Sequence, residues 1–259
     1  MATRAMYLGN PAQFLLWYHR RFAAFRHVQP NAVHRWLVAQ CNSGGGSDGA
    51  RLITQNIDGL DRKAGNEDDI RIHGRLDRMT MLRDQSLFDH RGDGAAGAAA
   101  AAGIRLLNVP WDEVAASIAD TGANRPADGG SVDRPADETD EAALIAALLA
   151  ACRIPRAGPQ MGVSLKPFVL LFDKYYTVLY RRTEAEVWMN GASQIVFMET
   201  SFSVNITAIA LRVAVHRGMP VEIVDQEPID LTASFGILAG MADISYCRMT
   251  ARAWVVAQV

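Results

Sequence analysis

Four short polar stretches carry side chains able to do chemistry. They are Gln55-Asn56-Ile57-Asp58, His73 just before Gly74, Thr200-Ser201-Phe202-Ser203, and Asp225-Gln226. Histidine titrates near neutrality, so His73 is a candidate general base, the alternative being a structural histidine. Hydroxyls at the start of a helix lie beside free backbone N–H groups and the positive end of the helix dipole. That arrangement suits an anion such as phosphate, and it serves equally as an ordinary N-cap cluster. An acid ending a strand, such as Asp225, can accept ribose hydroxyls or simply stabilise a turn. Together the stretches point to a nucleotide site with a histidine beside it.

These residues need elements to hold them. Phe168 to Phe172 is a continuous apolar run after Pro167, as a strand buried on both faces requires. A helix is expected within 180–190, a strand over Gln194–Met198, a helix over Asn205–Arg217 stopped by Gly218, and a strand over Val221–Val224. Strands alternating with helices at this spacing predict βαβ units and a parallel sheet, with ligands at the carboxyl ends of its strands. Upstream, Phe14, Trp17, Tyr18, Phe22 and Phe25 recur at helical spacing, so 11–26 reads as an amphipathic helix with Pro11 in its first turn. Asn31 suits the N-cap of a second helix reaching about Gln40, with Val33, Trp36 and Leu37 inward. Arg51–Thr54 reads as a short buried strand. The glycine cluster from Ser43 to Gly49 has no nucleotide-binding spacing and reads as a loop tip.

The middle of the chain differs in kind. Gly94–Gly103 holds seven Ala and three Gly, and Asp120–Glu141 holds seven acids against two arginines. Both are expected to be low-complexity insertions. Between them Ile104–Val109 could form a strand, and Glu141–Cys152 is Ala- and Leu-rich and expected to be helical. Over 259 residues the net charge is −2, which excludes a globally basic nucleic-acid binder and an acidic disordered chain. Cys41, Cys152 and Cys247 are too few and too widely spaced for a disulfide framework, which fits a reducing cytoplasm. The longest apolar run, Ala142–Cys152, has 11 residues, short of a membrane span. Residues 1–47 hold five arginines and no acid, which reads as a helix with a basic face rather than a transit peptide.

The stretch Ile53-Thr54-Gln55-Asn56-Ile57-Asp58-Gly59-Leu60, with Ala64-Gly65 and then His73-Gly74, resembles the TQNID…AG…HG signature of the sirtuins, NAD-dependent protein deacylases. Asn31 with His34, Pro167–Lys174, Val196–Val204 and Gly218–Asp225 resemble further family segments in the same order. The resemblance covers about residues 7–90 and 163–228. It implies an α/β fold: a Rossmann-like parallel sheet with a smaller, partly low-complexity helical insertion. The expected organisation is a helical segment of the small domain over 1–30, the Rossmann-like part over 31–77 and 163–259, and the insertion over 78–162. The resemblance also implies roles. His73 and Asn56 are catalytic, with His73 the base for a ribose hydroxyl. Gln55, Asn56, Ile57, Asp58, Thr200, Ser201 and Asp225 bind NAD, and Val169 and Phe172 line the acyl-lysine cleft. In the family reaction the acyl oxygen attacks the ribose as nicotinamide departs. The base then helps a ribose hydroxyl to take the acyl group.

Three departures qualify the pattern. The family's opening strand and GAGxS phosphate loop have no counterpart in Met1–Asn10, so either the start lies upstream or the main phosphate clamp is missing. Glu199 stands where the family has glycine, and a carboxylate there is expected to weaken NAD binding unless it turns away. The zinc cysteines are absent: Cys152 alone lies between His73 and Pro167, while Met79, Arg83 and Asp84 occupy the region, so no zinc and no metal ligand is expected. His90 with Asp89 is a remote exception. Lys174 replaces the usual Glu of the substrate-side strand. The expected function is NAD-dependent deacylation of an acyl-lysine protein substrate, in the cytoplasm and without nucleic acid or membrane. The alternatives are a catalytically degraded sirtuin-like protein-binding domain and a protein ADP-ribosyltransferase.

Overall fold

The computed structural model describes residues 2–43, 49–83, 104–114, 136–231, 235–236, 240 and 243–258. The first half carries α1 (Arg4–Gly9), α2 (Pro11–Phe25), α3 (Ala32–Ser43), β1 (Ile53–Thr54), α4 (Leu60–Lys63), β2 (Ile70–Arg71), β3 (Gly74–Met81) and β4 (Leu107–Asn108). Then come α5 (Ala136–Ala151), β5 (Leu165–Val169), α6 (Arg182–Gly191), β6 (Ile195–Met198), α7 (Asn205–Arg217), β7 (Val221–Asp225), β8 (Ile244–Arg248) and α8 (Ala251–Ala257). The expectations for Gly44–Asp48, Gly94–Gly103, Asp89 with His90, and 120–135 lie outside the described residues. The chain divides into two compact units, the first Met1–Val28, Thr54–Gly59 and Arg71–Tyr180, the second Gln29–Ile53, Leu60–Ile70 and Arg181–Val259. No helix among the described residues is long and apolar enough to cross a membrane.

In the first unit, helices pack on an antiparallel sheet of order β4-β3-β5. Asn10 caps α2 through its side chain, with Pro11 in the first turn, because proline lacks the N–H that a helix start leaves unpaired. The apolar stripe of α2 then buries Phe14, Leu15, Leu16 and Tyr18 in a core with Tyr7, Leu76, Met79, Trp111 and Leu148. Burying each such side chain contributes about 1.5–3 kcal/mol before entropy is charged against it. Tyr7 reaches through this core to donate its hydroxyl to the Leu165 carbonyl at 2.9 Å, tying α1 to β5. The Ala- and Leu-rich helix is present as α5 and begins earlier than its apolar run suggests.

The apolar strand after Ser164 differs from its expectation in limits and partner. It spans Leu165–Val169 with every residue buried, and it pairs antiparallel with β3, not within a parallel sheet. Phe172 lies in a turn beyond its end and is 79% exposed. A buried apolar run is compatible with either kind of sheet, so local pattern could not choose its neighbour.

The second unit holds the parallel sheet, order β6-β7-β8. The expected Asn205–Arg217 helix is α7, closed by Gly218 in the left-handed region at φ 62°. The third parallel strand, β8, went unread in the sequence; it pairs Val221–Asp225 with Ile244–Arg248. Asn31 accepts the N–H groups of Val33 and His34 with its side-chain oxygen, capping α3 as expected. Val33 and Trp36 of α3 pack against Val224, Trp254 and Val255, and the Trp36 and Trp254 rings meet edge to face at 5.3 Å. Beneath them one Glu222 oxygen accepts both the Trp254 indole N–H at 2.7 Å and the Cys247 thiol at 3.0 Å.

Candidate functional site

His73 sits in the tight turn between β2 and β3. Gly74, the next residue, has φ +88°, and a Cβ there would lie 2.2 Å from the Phe168 carbonyl oxygen and 2.9 Å from the Val169 Cα. Only glycine permits both the backbone angle and that approach. The His73 carbonyl in turn accepts the Leu170 N–H at 2.9 Å. The histidine backbone is therefore clamped on the segment leaving β5.

The ring is oriented at both nitrogens. Nδ1 lies 3.0 Å from the Gln55 carbonyl oxygen, and Nε2 lies 2.9 Å from the Tyr176 hydroxyl. A carbonyl only accepts, so Nδ1 carries the proton and Nε2 presents a lone pair. Burial pushes the pKa of His73 below its ordinary 6.5, and the hydrogen bond to Gln55 pulls it part of the way back. At neutral pH the ring is accordingly neutral, which is the state a general base requires.

Gln55, Asn56, Ile57 and Asp58 occupy the loop after β1, in the same unit as His73. The Asn56 N–H donates to the Thr54 hydroxyl at 3.2 Å, and the Ile57 carbonyl accepts the Leu76 N–H at 2.9 Å. The loop is thus tied to β3 near the histidine. Asn56 is exposed, and Ile57 rests against the first core. Val169 is buried at the end of β5, and Phe172 is exposed beyond it. Tyr176 was not singled out by its sequence context. It lies 103 positions from His73, and no local pattern connects them.

The second unit places Thr200 and Ser201 just beyond the carboxyl end of β6 and Asp225 at that of β7. Ser201 and Ser203 share a hydrogen bond at 2.7 Å. The start of α7 has no side-chain cap bond, so its first N–H groups are not claimed by a capping side chain. Asp225 accepts the Glu227 N–H at 2.9 Å in a local turn. Glu199 adopts φ 46°, the conformation its glycine counterpart would take without strain. Its carboxylate turns to the start of α8 and accepts the Ala251 N–H at 3.1 Å. The helix dipole favours a negative group there. Among the described residues no group of three or more His, Cys, Asp or Glu side chains is placed to hold a metal ion.

Comparison with known proteins points to one family. Residues 1–91 match the Sir2 family model. The NAD-dependent protein deacylase of Bdellovibrio bacteriovorus is 36% identical over 91 residues, 34% of this chain and 38% of that protein. NAD-dependent protein deacetylase 1 of Streptomyces coelicolor is 31% identical over 210 residues, 81% of this chain and 60% of that protein. The chain thus spans less than two thirds of these relatives' own length. A Sir2 homologue in complex with NAD superposes with a TM-score of 0.61 at 18% identity, covering 98% of this chain and 73% of its own. Sir2Tm bound to a propionylated peptide gives 0.62 at 16% identity, covering 98% and 80%. The chain is therefore Sir2-like in sequence over its first 91 residues and has the α/β, Rossmann-like fold of the Sir2 homologues over almost its whole length.

Proposed function

We propose that this protein removes acyl groups from protein lysines at the expense of NAD, yielding nicotinamide and an acylated ADP-ribose. The observation that carries the reading is the His73 ring, with Nδ1 hydrogen-bonded to the loop that bears Gln55, Asn56, Ile57 and Asp58 and Nε2 left as its basic nitrogen. The residues present fit NAD in kind. The uncapped start of α7 with the hydroxyls of Thr200 and Ser201 suits phosphate or ribose, and Asp225 suits a ribose diol. From the first unit, Gln55 and Asn56 would contact the nicotinamide ribose, and Ile57 with Asp58 the carboxamide. When bound, NAD supplies an electrophilic sugar carbon with a neutral leaving base.

His73 accepts a proton at Nε2, and the Gln55 carbonyl stabilises the Nδ1–H of the resulting imidazolium. Glu199 directs its side chain to the start of α8, which supports phosphate binding nearby despite the missing glycine. The acyl-lysine peptide is assigned to the segment that leaves β5, where Val169 ends the strand and Phe172 and Tyr175 are exposed. Three widely spaced free cysteines support a reducing, cytoplasmic setting.

The test is conversion of an acetyl-lysine peptide in the presence of NAD, followed by mass spectrometry. Wild type is expected to give NAD-dependent deacylated peptide. His73→Ala should reduce the rate about 10²–10⁴-fold while keeping its fold. Equal rates for the two proteins would overturn the reading.

A further inference from the structure

We propose that Tyr176 is a proton relay: the group that meets the reacting hydroxyl is the phenol oxygen, and His73 is the base behind it. The proposal rests on the deacylase reading above. Nε2 of His73 has one lone pair, and the Tyr176 hydroxyl lies on it at 2.9 Å. Nδ1 is committed to the Gln55 carbonyl, so the ring offers no second basic atom. An incoming hydroxyl must either pass its proton through the phenol oxygen or displace the phenol.

The surroundings favour passage over displacement. The segment bearing Tyr176 is tied down on both sides. The Lys174 N–H donates to the Leu171 carbonyl at 2.9 Å, and the Tyr180 N–H to the Thr177 carbonyl at 3.0 Å. Thr177 is buried, and the Tyr180 ring is buried against Phe168 at 5.2 Å. The imidazole and phenol planes lie within 12° of each other. The backbone on both sides of Tyr176 is thus held in place, and moving the phenol aside would give up its hydrogen bond and ring contact with His73.

The chemistry balances. A tyrosine hydroxyl donates one proton and keeps two lone pairs. The substrate O–H bond breaks as a new O–H forms on Oη, while the original Tyr176 proton forms an N–H bond at Nε2. The phenol ends neutral, His73 carries the positive charge, and the substrate oxygen keeps its electron pair as the nucleophile. A free phenol, with a pKa of about 10, does not ionise appreciably at neutral pH, so the relay needs the histidine behind it.

Tyr176→Phe in the full chain tests this with two readouts. The first uses the protein without NAD: ¹⁵N NMR of the His73 ring. Loss of the donor to the neutral ring should shift the Nε2 resonance and leave Nδ1 protonated on the Gln55 carbonyl. An unchanged Nε2 signal would overturn the proposal. The second readout is kinetic. Deacylated peptide should form about 100-fold more slowly or worse. Exchange of labelled nicotinamide into NAD, which precedes any need for the base, should persist. The wild-type rate in mixed H₂O and D₂O should curve as two moving protons require. A Phe variant that deacylates at the wild-type rate or faster would overturn the relay and leave the deacylase reading intact. So would a folded Phe variant that loses exchange and deacylation alike. A wild type that neither exchanges nor deacylates would sink the deacylase reading itself, and the relay with it.

Discussion

The two units hold their candidate residues on opposite plans. In the first unit the reactive side chain is held from every side. Gly74 is pressed on the Phe168 carbonyl, the His73 carbonyl is bonded to Leu170, and both ring nitrogens are engaged. In the second unit the polar residues sit on loops after parallel strands and mostly bond among themselves, Ser201 to Ser203 and Asp225 to its own turn. Two residues there, Glu199 and Phe202, take left-handed backbone angles. Proton transfer requires one atom at one position, so its surroundings tolerate little change. Holding an anion requires only donors in the right direction, which different side chains can leave in place. This explains how the His-Gly pair keeps its glycine while the second loop accommodates Glu199.

The largest expected effect breaks the first plan. Gly74→Ala places a Cβ against backbone at 2.2 Å in a conformation that disfavours it. The cost should exceed about 3 kcal/mol, read as a lowered urea midpoint and loss of any deacylation. A variant with wild-type stability would mean that β3 and β5 do not approach this closely.

A smaller effect sharpens the same region. Burial lowers the His73 pKa, so the base stays unprotonated to more acid pH than a free histidine. The acid limb of the rate against pH should therefore fall below pH 6.5, with a plateau above it. The same sign applies to stability. A depressed folded pKa contributes stability present above the unfolded value and lost as pH falls through the folded one. A limb above 6.5 would contradict the burial of the ring.

The smallest effect probes the second plan. Glu199→Gly relieves a strained backbone but removes the carboxylate from the Ala251 N–H. These terms, each about 1 kcal/mol, oppose each other, so the melting temperature should change little. NAD affinity measured by calorimetry should stay equal or rise. A large loss of affinity would show that Glu199 itself serves the cofactor.

Several elements were legible in the sequence because their causes are local. The stripe of Phe14 and Tyr18 and the first-turn Pro11 belong to α2 alone, Asn31 caps α3 with its own side chain, and Gly218 ends α7 by its own backbone freedom. The His73-Gly74 pair stood out in the sequence, and the structure shows a local reason for its glycine: a positive φ and a close approach to the Phe168 carbonyl. What escaped reading depends on distant neighbours. β8 is only partly buried and looks unremarkable by itself; it is a strand because β7 pairs with it. The orientation of the Glu199 carboxylate depends on where α8 begins.

The sequence by itself therefore determined most of the helices and the β6 and β7 strands, since periodicity and caps act within a few residues. The tertiary structure alone decided that β5 lies antiparallel to β3, because a wholly apolar strand fits any buried neighbour. It alone brought Tyr176 to the Nε2 of His73, because a hydrogen bond between residues 103 positions apart exists only once the chain between them has packed.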